Sequence, residues 1–148
     1  MSKLSDFLNP VVAQEEKDIV ISKRFIKRDD TGNPILDNNG NSVPRPFRVR
    51  AISQIENDAL VKAATTSFRD RTGGKSSEFD RVKYIRALVV AGTVDPDFRE
   101  KELCDHFGVL DPEMVPGKML YAGEYQKLAD AIAELSGIGD DAEEEAKN

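Results

Sequence analysis

Three stretches of this 148-residue chain carry residue types at spacings that could do chemistry. Gly73-Gly74-Lys75-Ser76 has the ending of a phosphate-binding loop, where backbone amides cradle phosphate oxygens and the Lys reaches the terminal phosphates. That loop also needs a Gly five residues before its second Gly, where Arg69 stands, and a strand leading into it, where helical spacing runs instead. The reading is a loop between two helices. Asp37, Asn39 and Asn41 alternate like the first ligands of a calcium loop, but Ser42 and Arg48 occupy the positions that require Gly and Glu. A plain hairpin tip is expected there. Cys104 and His106 are the single Cys and single His. Two positions apart on a helix they point to different sides, so they form neither a nucleophile–base pair nor a metal site. The carboxylates fit helix caps and solvated faces. No catalytic, cofactor or metal set emerges, and the expectation is a protein that is not an enzyme, carries no cofactor, and acts by binding other proteins.

Charge narrows the partners. Arg69, Arg71, Lys75, Arg81, Lys83 and Arg86 form the one basic concentration, diluted by Asp70, Glu78 and Asp80. A solvated face is the first reading, an acidic-partner site the second, and a small regulatory nucleic-acid binder the third. The net charge is −6, and residues 101–148 hold 4 Lys/Arg against 12 Asp/Glu. A phosphate backbone demands a positive footprint, so no nucleic acid is expected as partner. The acidic end suits a basic or apolar protein partner, or self-association of copies packed head to tail. A lone Cys fits a reducing compartment. Apolar runs are far shorter than the ~20 residues that cross a bilayer, so no membrane partner is expected and the protein is read as cytoplasmic and soluble.

The elements that must position any binding surface are read from periodicity and punctuation. Residues 1–18 read as an amphipathic segment, with Leu4, Phe7 and Leu8 on one side, then a linker. Residues 19–52 read as a β-hairpin: a strand over Ile19 to Lys27, turn chemistry at Asp29 to Pro34 and again at Asp37 to Asn41, then Phe47, Val49 and Ala51 alternating with Arg48 and Arg50. Its tip is long and expected to be mobile. Residues 53–137 read as a helical domain. Ser53 and Glu56 make a capping box. Ser77 with Asp80 signals a second helix start, and Phe79, Val82, Ile85, Leu88 and Val89 give it an apolar face that stops at Gly92. Lys101 to Phe107 is stopped by Gly108, Asp111-Pro112 opens a turn of helix, and a last amphipathic helix from Ala122 is closed by Gly137. Residues 138–148 read as a disordered acidic tail. The fold class is α+β, mainly α, with an N-terminal β-hairpin packed on a small helical domain. Met119, Leu120, Tyr121 and Tyr125, which mix apolar bodies with polar tips around Gly123, are the candidate partner-binding residues.

An ordered set of short features gives a family likeness. It comprises Asp6-Phe7-Leu8, Arg24-Phe25, the Asp30 to Pro34 turn, Phe47 opening a strand, the Ser53 to Glu56 helix start, the Asp95-Pro96-Asp97-Phe98 corner, Glu102-Leu103 with Gly108, and Met119-Leu120 leading into Gly123-Glu124-Tyr125. In this order and spacing the chain resembles the XkdN-like tail assembly chaperones of long-tailed phages and prophages of Gram-positive bacteria, over roughly residues 5–137. Two departures stand out: Phe47 where the family has Trp, and a longer tip over Ile35 to Ser42. The resemblance implies a chaperone that binds and solubilises the tape measure protein, helps recruit tail tube subunits in the host bacterial cytoplasm, and is absent from the mature virion. A structural tail or neck component retained in the particle is the alternative in the same biology. The resemblance also implies a frameshifted longer product, for which Lys147-Asn148 would supply the slippery codons if Lys147 is encoded AAA.

Overall fold

Ser53 begins the helical part of the chain as its cap chemistry predicts. Its hydroxyl accepts from the Glu56 amide at 3.2 Å, and the Glu56 carboxylate accepts from the Ser53 amide at 3.2 Å. The helix it opens, α2, spans Gln54–Ala63. The structure, a computed structural model, describes residues 3–11 and 15–138. The remaining elements in chain order are α1 (Leu4–Leu8), β1 (Glu16–Ile19), β2 (Phe47–Arg50), β3 (Thr65–Arg69), β4 (Lys75–Phe79), α3 (Arg81–Gly92), β5 (Thr93–Asp95), α4 (Lys101–Phe107), a single 3-10 turn at Pro112–Met114, α5 (Val115–Met119) and α6 (Ala122–Leu135). This is the mixed, mainly helical α+β fold expected. Of the segment 138–148, all but Ile138 lies outside the described residues, as does the candidate slippery site at Lys147.

The N-terminal hairpin is present with shifted boundaries. Strand β1 starts and ends earlier than Ile19 to Lys27, pairing antiparallel with β2 in the register Glu16↔Arg50 to Ile19↔Phe47. Two features explain the shift. Glu16 and Asp18 both pair with Arg48, which holds a charged strand in place without apolar alternation. Beyond Ile19 the chain turns inward, burying Ile21 and bringing Phe25 to 5.6 Å from Phe47 between ring centroids. The connection from there to β2 folds back on itself, with isolated bridges Ile26↔Pro44, Arg28↔Pro34 and Leu36↔Ser42. Strand β5 joins on the other side of β2, giving the sheet order β1-β2-β5.

The second correction lies between α2 and α3. Residues 65–79 are neither helix nor inter-helix loop but a hairpin, with Thr65↔Phe79 to Arg69↔Lys75 paired. Ser77 therefore sits in β4, and Asp80 alone caps α3, accepting from the Lys83 amide at 3.1 Å. Phe79 leaves the helical face it was assigned to and packs at 5.6 Å against Tyr84. The turn of this hairpin repeats a device used twice before. Asp70 accepts from the amides of Thr72 and Gly74 at 2.9 Å, as Asp29 does from Thr31 and Asn33, and Asp37 from Asn39 and Asn41. In each copy the fourth residue is a Gly at positive φ (Gly32, Gly40, Gly73), the conformation that Gly reaches without strain.

One core joins the sheet to the helices. Phe47 and Val49 from β2, Leu88, Val89 and Val90 from α3, Phe98, Val115 and Leu120, and Leu128, Ala129 and Ile132 from α6 are buried together. Helix α3 crosses α6 closely at Gly92, where an added Cβ would lie 2.5 Å from Ile132 Cγ2. Ser136, just past α6, accepts from the Ile52 amide at 2.8 Å and fixes the C-terminal end of that helix beside the end of β2.

Candidate protein interface

The junction between α5 and α6 is where the four candidate residues lie, and the structure divides them. Leu120 is buried at 7% exposure and belongs to the core, although it also forms the floor of a groove. Tyr125 is half-buried on the first turns of α6 and lines the same groove; burial raises its phenol above the ordinary value, against the pull of Arg86. Met119 packs its side chain against the core, and its carbonyl and the Tyr121 ring meet the N-terminal region instead. Arg24 places its guanidinium 4.2 Å from the Tyr121 ring centroid, donates to the Met119 carbonyl at 3.2 Å, and donates through Nε to Glu124 at 3.2 Å. Glu124 in turn accepts from the Tyr121 amide at 2.8 Å, so one carboxylate both caps α6 and anchors the N-terminal excursion.

The groove runs between α3, the 3-10 turn, α5 and the start of α6. Its volume is about 510 Å³, and its walls are Val82, Met114, Gly117, Leu120, Ala122 and Tyr125, with Arg86, Glu113 and Lys118 at the rim. Val82 is 60% exposed and Met114 37% exposed. A second cleft, of about 580 Å³ between β1 and α6, mixes the apolar Ile19, Ala131 and Leu135 with the charged Glu15, Lys17, Lys127, Asp130 and Glu134. The first groove has the more apolar walls, the chemistry that receives an apolar helix face. Burial and the nearby Asp111 raise the Glu113 carboxyl above its ordinary value, opposed by Lys83 and Arg86.

Sequence reasoning missed Arg24 and Glu124, which lie 100 positions apart. It also missed the groove walls other than Leu120 and Tyr125. The available signal was an apolar stripe on α3 wider than the core uses: Leu88, Val89 and Val90 are buried while Val82 is left at the surface. The residues with catalytic spacing are spent on structure. The Thr72 and Gly74 amides that a phosphate loop would offer are taken by Asp70, whose carboxyl is held below its usual range mainly by the Thr72 hydroxyl. Cys104 is buried, with Sγ 3.6 Å from the Phe98 carbonyl, while His106 is exposed. Among the described residues no group of three or more His, Cys, Asp or Glu could hold a metal. No helix among them is long and apolar enough to cross a membrane.

Comparison with known proteins decides the family. Residues 4–147 match the model of the phage XkdN-like tail assembly chaperone protein. The chain belongs to the XkdN-like tail assembly chaperones. This family member is 32% identical over 141 residues to the phage-like element PBSX protein XkdN of Bacillus subtilis strain 168, covering 93% of this chain and 87% of that one. It is 33% identical over the same length to the uncharacterised protein YqbN of that strain. The crystal structure of the protein YqbN superposes with a TM-score of 0.64 at 30% identity, covering 89% of this chain and 94% of the other. The family's role is phage tail assembly, a chaperone role and not an enzymatic one.

Two carboxylates of this chaperone predict its acid response. Glu56, bonded to Arg50 and to the α2 cap, is held at about 2 against an ordinary 4.5. Glu124, bonded first to Arg24 and then to Ser22 and the Tyr121 amide, is likewise held at about 2. A carboxyl lowered on folding adds stability that is fully present above its unfolded pKa and is lost as pH falls toward the folded one. Stability is therefore expected to fall from about pH 4.5 to about pH 2. Denaturant midpoints at stepped pH should show a shallower decline for Glu56→Gln and Glu124→Gln. A decline as steep as the wild type's in both variants would mean that other groups carry the acid transition.

Proposed function

We propose that this protein keeps the tape measure protein soluble during tail assembly by receiving an amphipathic helix of it in the groove between α3, α5 and α6. The carrying observation is that groove: about 510 Å³, with Val82, Met114, Leu120 and Tyr125 on its walls, in a chain of the tail assembly chaperone family. A long helical client exposes apolar stripes that aggregate. An apolar groove covers one such stripe, and the net charge of −6 keeps the complex dispersed. In this reading Tyr121, exposed at the mouth of the α6 turn, and Tyr125, on the groove wall, are the aromatic contacts to the client. The chaperone then helps recruit tail tube subunits in the host cytoplasm and departs before the virion is complete.

Co-expression with the tape measure protein is the test. The wild-type chain is expected to move the client from the pellet to the soluble fraction. Tyr121→Ala with Tyr125→Ala should lower that soluble fraction severalfold while the chaperone keeps its helical circular dichroism. A folded double variant that solubilises the client as well as the wild type would remove these residues, and this face of the groove, from the client contact.

A further inference from the structure

Strand β1 is an edge. It pairs with β2 on one side and, among the described residues, with no strand on the other. The Ala51 amide donates to the Glu15 carbonyl at 2.9 Å, so Glu15 and Ala51 stand as a hydrogen-bonded pair. Such pairs recur at every second residue of an antiparallel ladder, which makes Lys17↔Val49 and Ile19↔Phe47 the next two. The backbone amides and carbonyls of Glu16 and Asp18 therefore point outward from the sheet.

Side chains alternate in the same rhythm. Glu16 and Asp18 lie on the face of Arg48, while Glu15, Lys17 and Ile19 line the cleft of about 580 Å³ whose far wall is α6. An open sheet edge takes up an extended peptide through main-chain bonds, and a cleft beside it receives every second side chain. We infer that the outer edge of β1 adds one extended strand of a partner protein, alternately basic and apolar in sequence, with the apolar side chains in the β1–α6 cleft. The α3/α5/α6 groove plays no part in this, so the inference goes beyond the client reading.

Charge selects the occupant. On the outer face two carboxylates share one guanidinium: Arg48 donates to Glu16 at 2.7 Å and to Asp18 at 3.0 Å. Negative charge is left in excess there, and the Asp18 side chain is 55% exposed. Residues of an added strand that stand opposite Glu16 and Asp18 lie on this same face, so Lys or Arg fits them. The residues between enter the cleft. Its charges, Lys17 and Lys127 against Glu15, Asp130 and Glu134, nearly balance, which leaves the apolar surface of Ile19, Ala131 and Leu135 to choose their partners. A second copy of this chain fits badly. Pairing β1 with β1 about Lys17 sets Glu16 against Asp18 and Lys17 against Lys17; pairing about Glu16 or Asp18 sets a carboxylate against its own copy. Like charges directly opposite are destabilising, and charge on an edge strand guards against such self-pairing. The chain's own residues 139–148 fit no better, with five carboxylate side chains and one Lys.

Fluorescence polarisation of a short capped peptide alternating Lys and Val, titrated with the whole chain at physiological salt, tests this. Saturable binding is expected, and none of a peptide of residues 139–148. Methylating the Lys amide nitrogens, which face β1, should weaken binding by at least about tenfold, and methylating the Val amides, which face away, should leave it within about twofold. In the protein, Asp18→Pro removes an outward N–H and no ladder bond. It should bind at least about tenfold more weakly than Asp18→Ala, which loses the same pair with Arg48. Where Asp18→Pro unfolds at lower urea than Asp18→Ala, the methylated peptides carry the test. Equal effects of the two methylations, or an equally stable Asp18→Pro chain that binds as tightly as Asp18→Ala, would mean that charge alone holds the peptide, and overturn the proposal. So would a wild type that binds no Lys–Val peptide, or one that self-associates on sedimentation until Asp18→Pro abolishes it, which would put a second copy on the edge.

Discussion

Replacing Phe47 by Ala is expected to lower stability by about 3–5 kcal/mol, the range for emptying an aromatic core site. Phe47 is 2% exposed, lies opposite Ile19 in the β1–β2 ladder, and meets the Phe25 ring at 5.6 Å. Its removal leaves a cavity where the sheet, the N-terminal excursion and the helical core meet. A domain of this size holds about 5–15 kcal/mol in total, so the loss is about a fifth of it or more. Urea unfolding followed by circular dichroism measures it. A change below about 1 kcal/mol would mean that the site collapses around the smaller side chain and that Phe47 is not the joint described.

Gly92→Ala has an expected sign opposite to helix propensity. Ala ordinarily stabilises a helical Gly position by about 0.5–1 kcal/mol. Here the new Cβ would lie 2.5 Å from Ile132 Cγ2 and 2.9 Å from its Cδ1, and Ile132 is fully buried. Neither α3 nor α6 can yield without disturbing the shared core, so overpacking should cost about 1–3 kcal/mol net. A double-mutant cycle isolates the cause. In an Ile132→Ala background those close atoms are gone, and Gly92→Ala should become neutral or stabilising. An equal cost in both backgrounds would place the effect somewhere other than this contact.

Legibility in the sequence followed the range of the interaction. Helix ends were readable because their signals are local. Ser53 with Glu56, Asp111 before Pro112, and Gly108 at φ 67 each act within a few residues. Strands were read poorly where their support is distant. The sequence Glu16-Lys17-Asp18-Ile19 has no apolar alternation and becomes β1 through Arg48, thirty positions on. The β3–β4 hairpin is hidden because Ala63, Ala64 and Phe79 continue a helical rhythm on either side of it, while the Asp70 turn that folds it reads as a break between helices. Of the candidate groove, Leu120 and Tyr125 are legible by type, but its walls need α3 and α5 beside α6, and the Arg24–Glu124 pair needs the N-terminal excursion to return there. No window of sequence holds those neighbours together.

The excursion between β1 and β2 is closed at its root. Phe25 and Lys27 exchange backbone bonds with Arg45 and Val43 at 2.7 and 2.8 Å, and everything beyond them hangs from that clamp. Each further fold is sealed by its own aspartate turn and spends nothing from the core. Lengthening such a loop adds little closure entropy, about 0.6 kcal/mol per doubling. The segment from Ile35 to Ser42 can therefore behave as an accordion pleat. It can be drawn out or taken in by a whole turn while Phe47 keeps its register, so inserted or deleted residues are expected to be tolerated there.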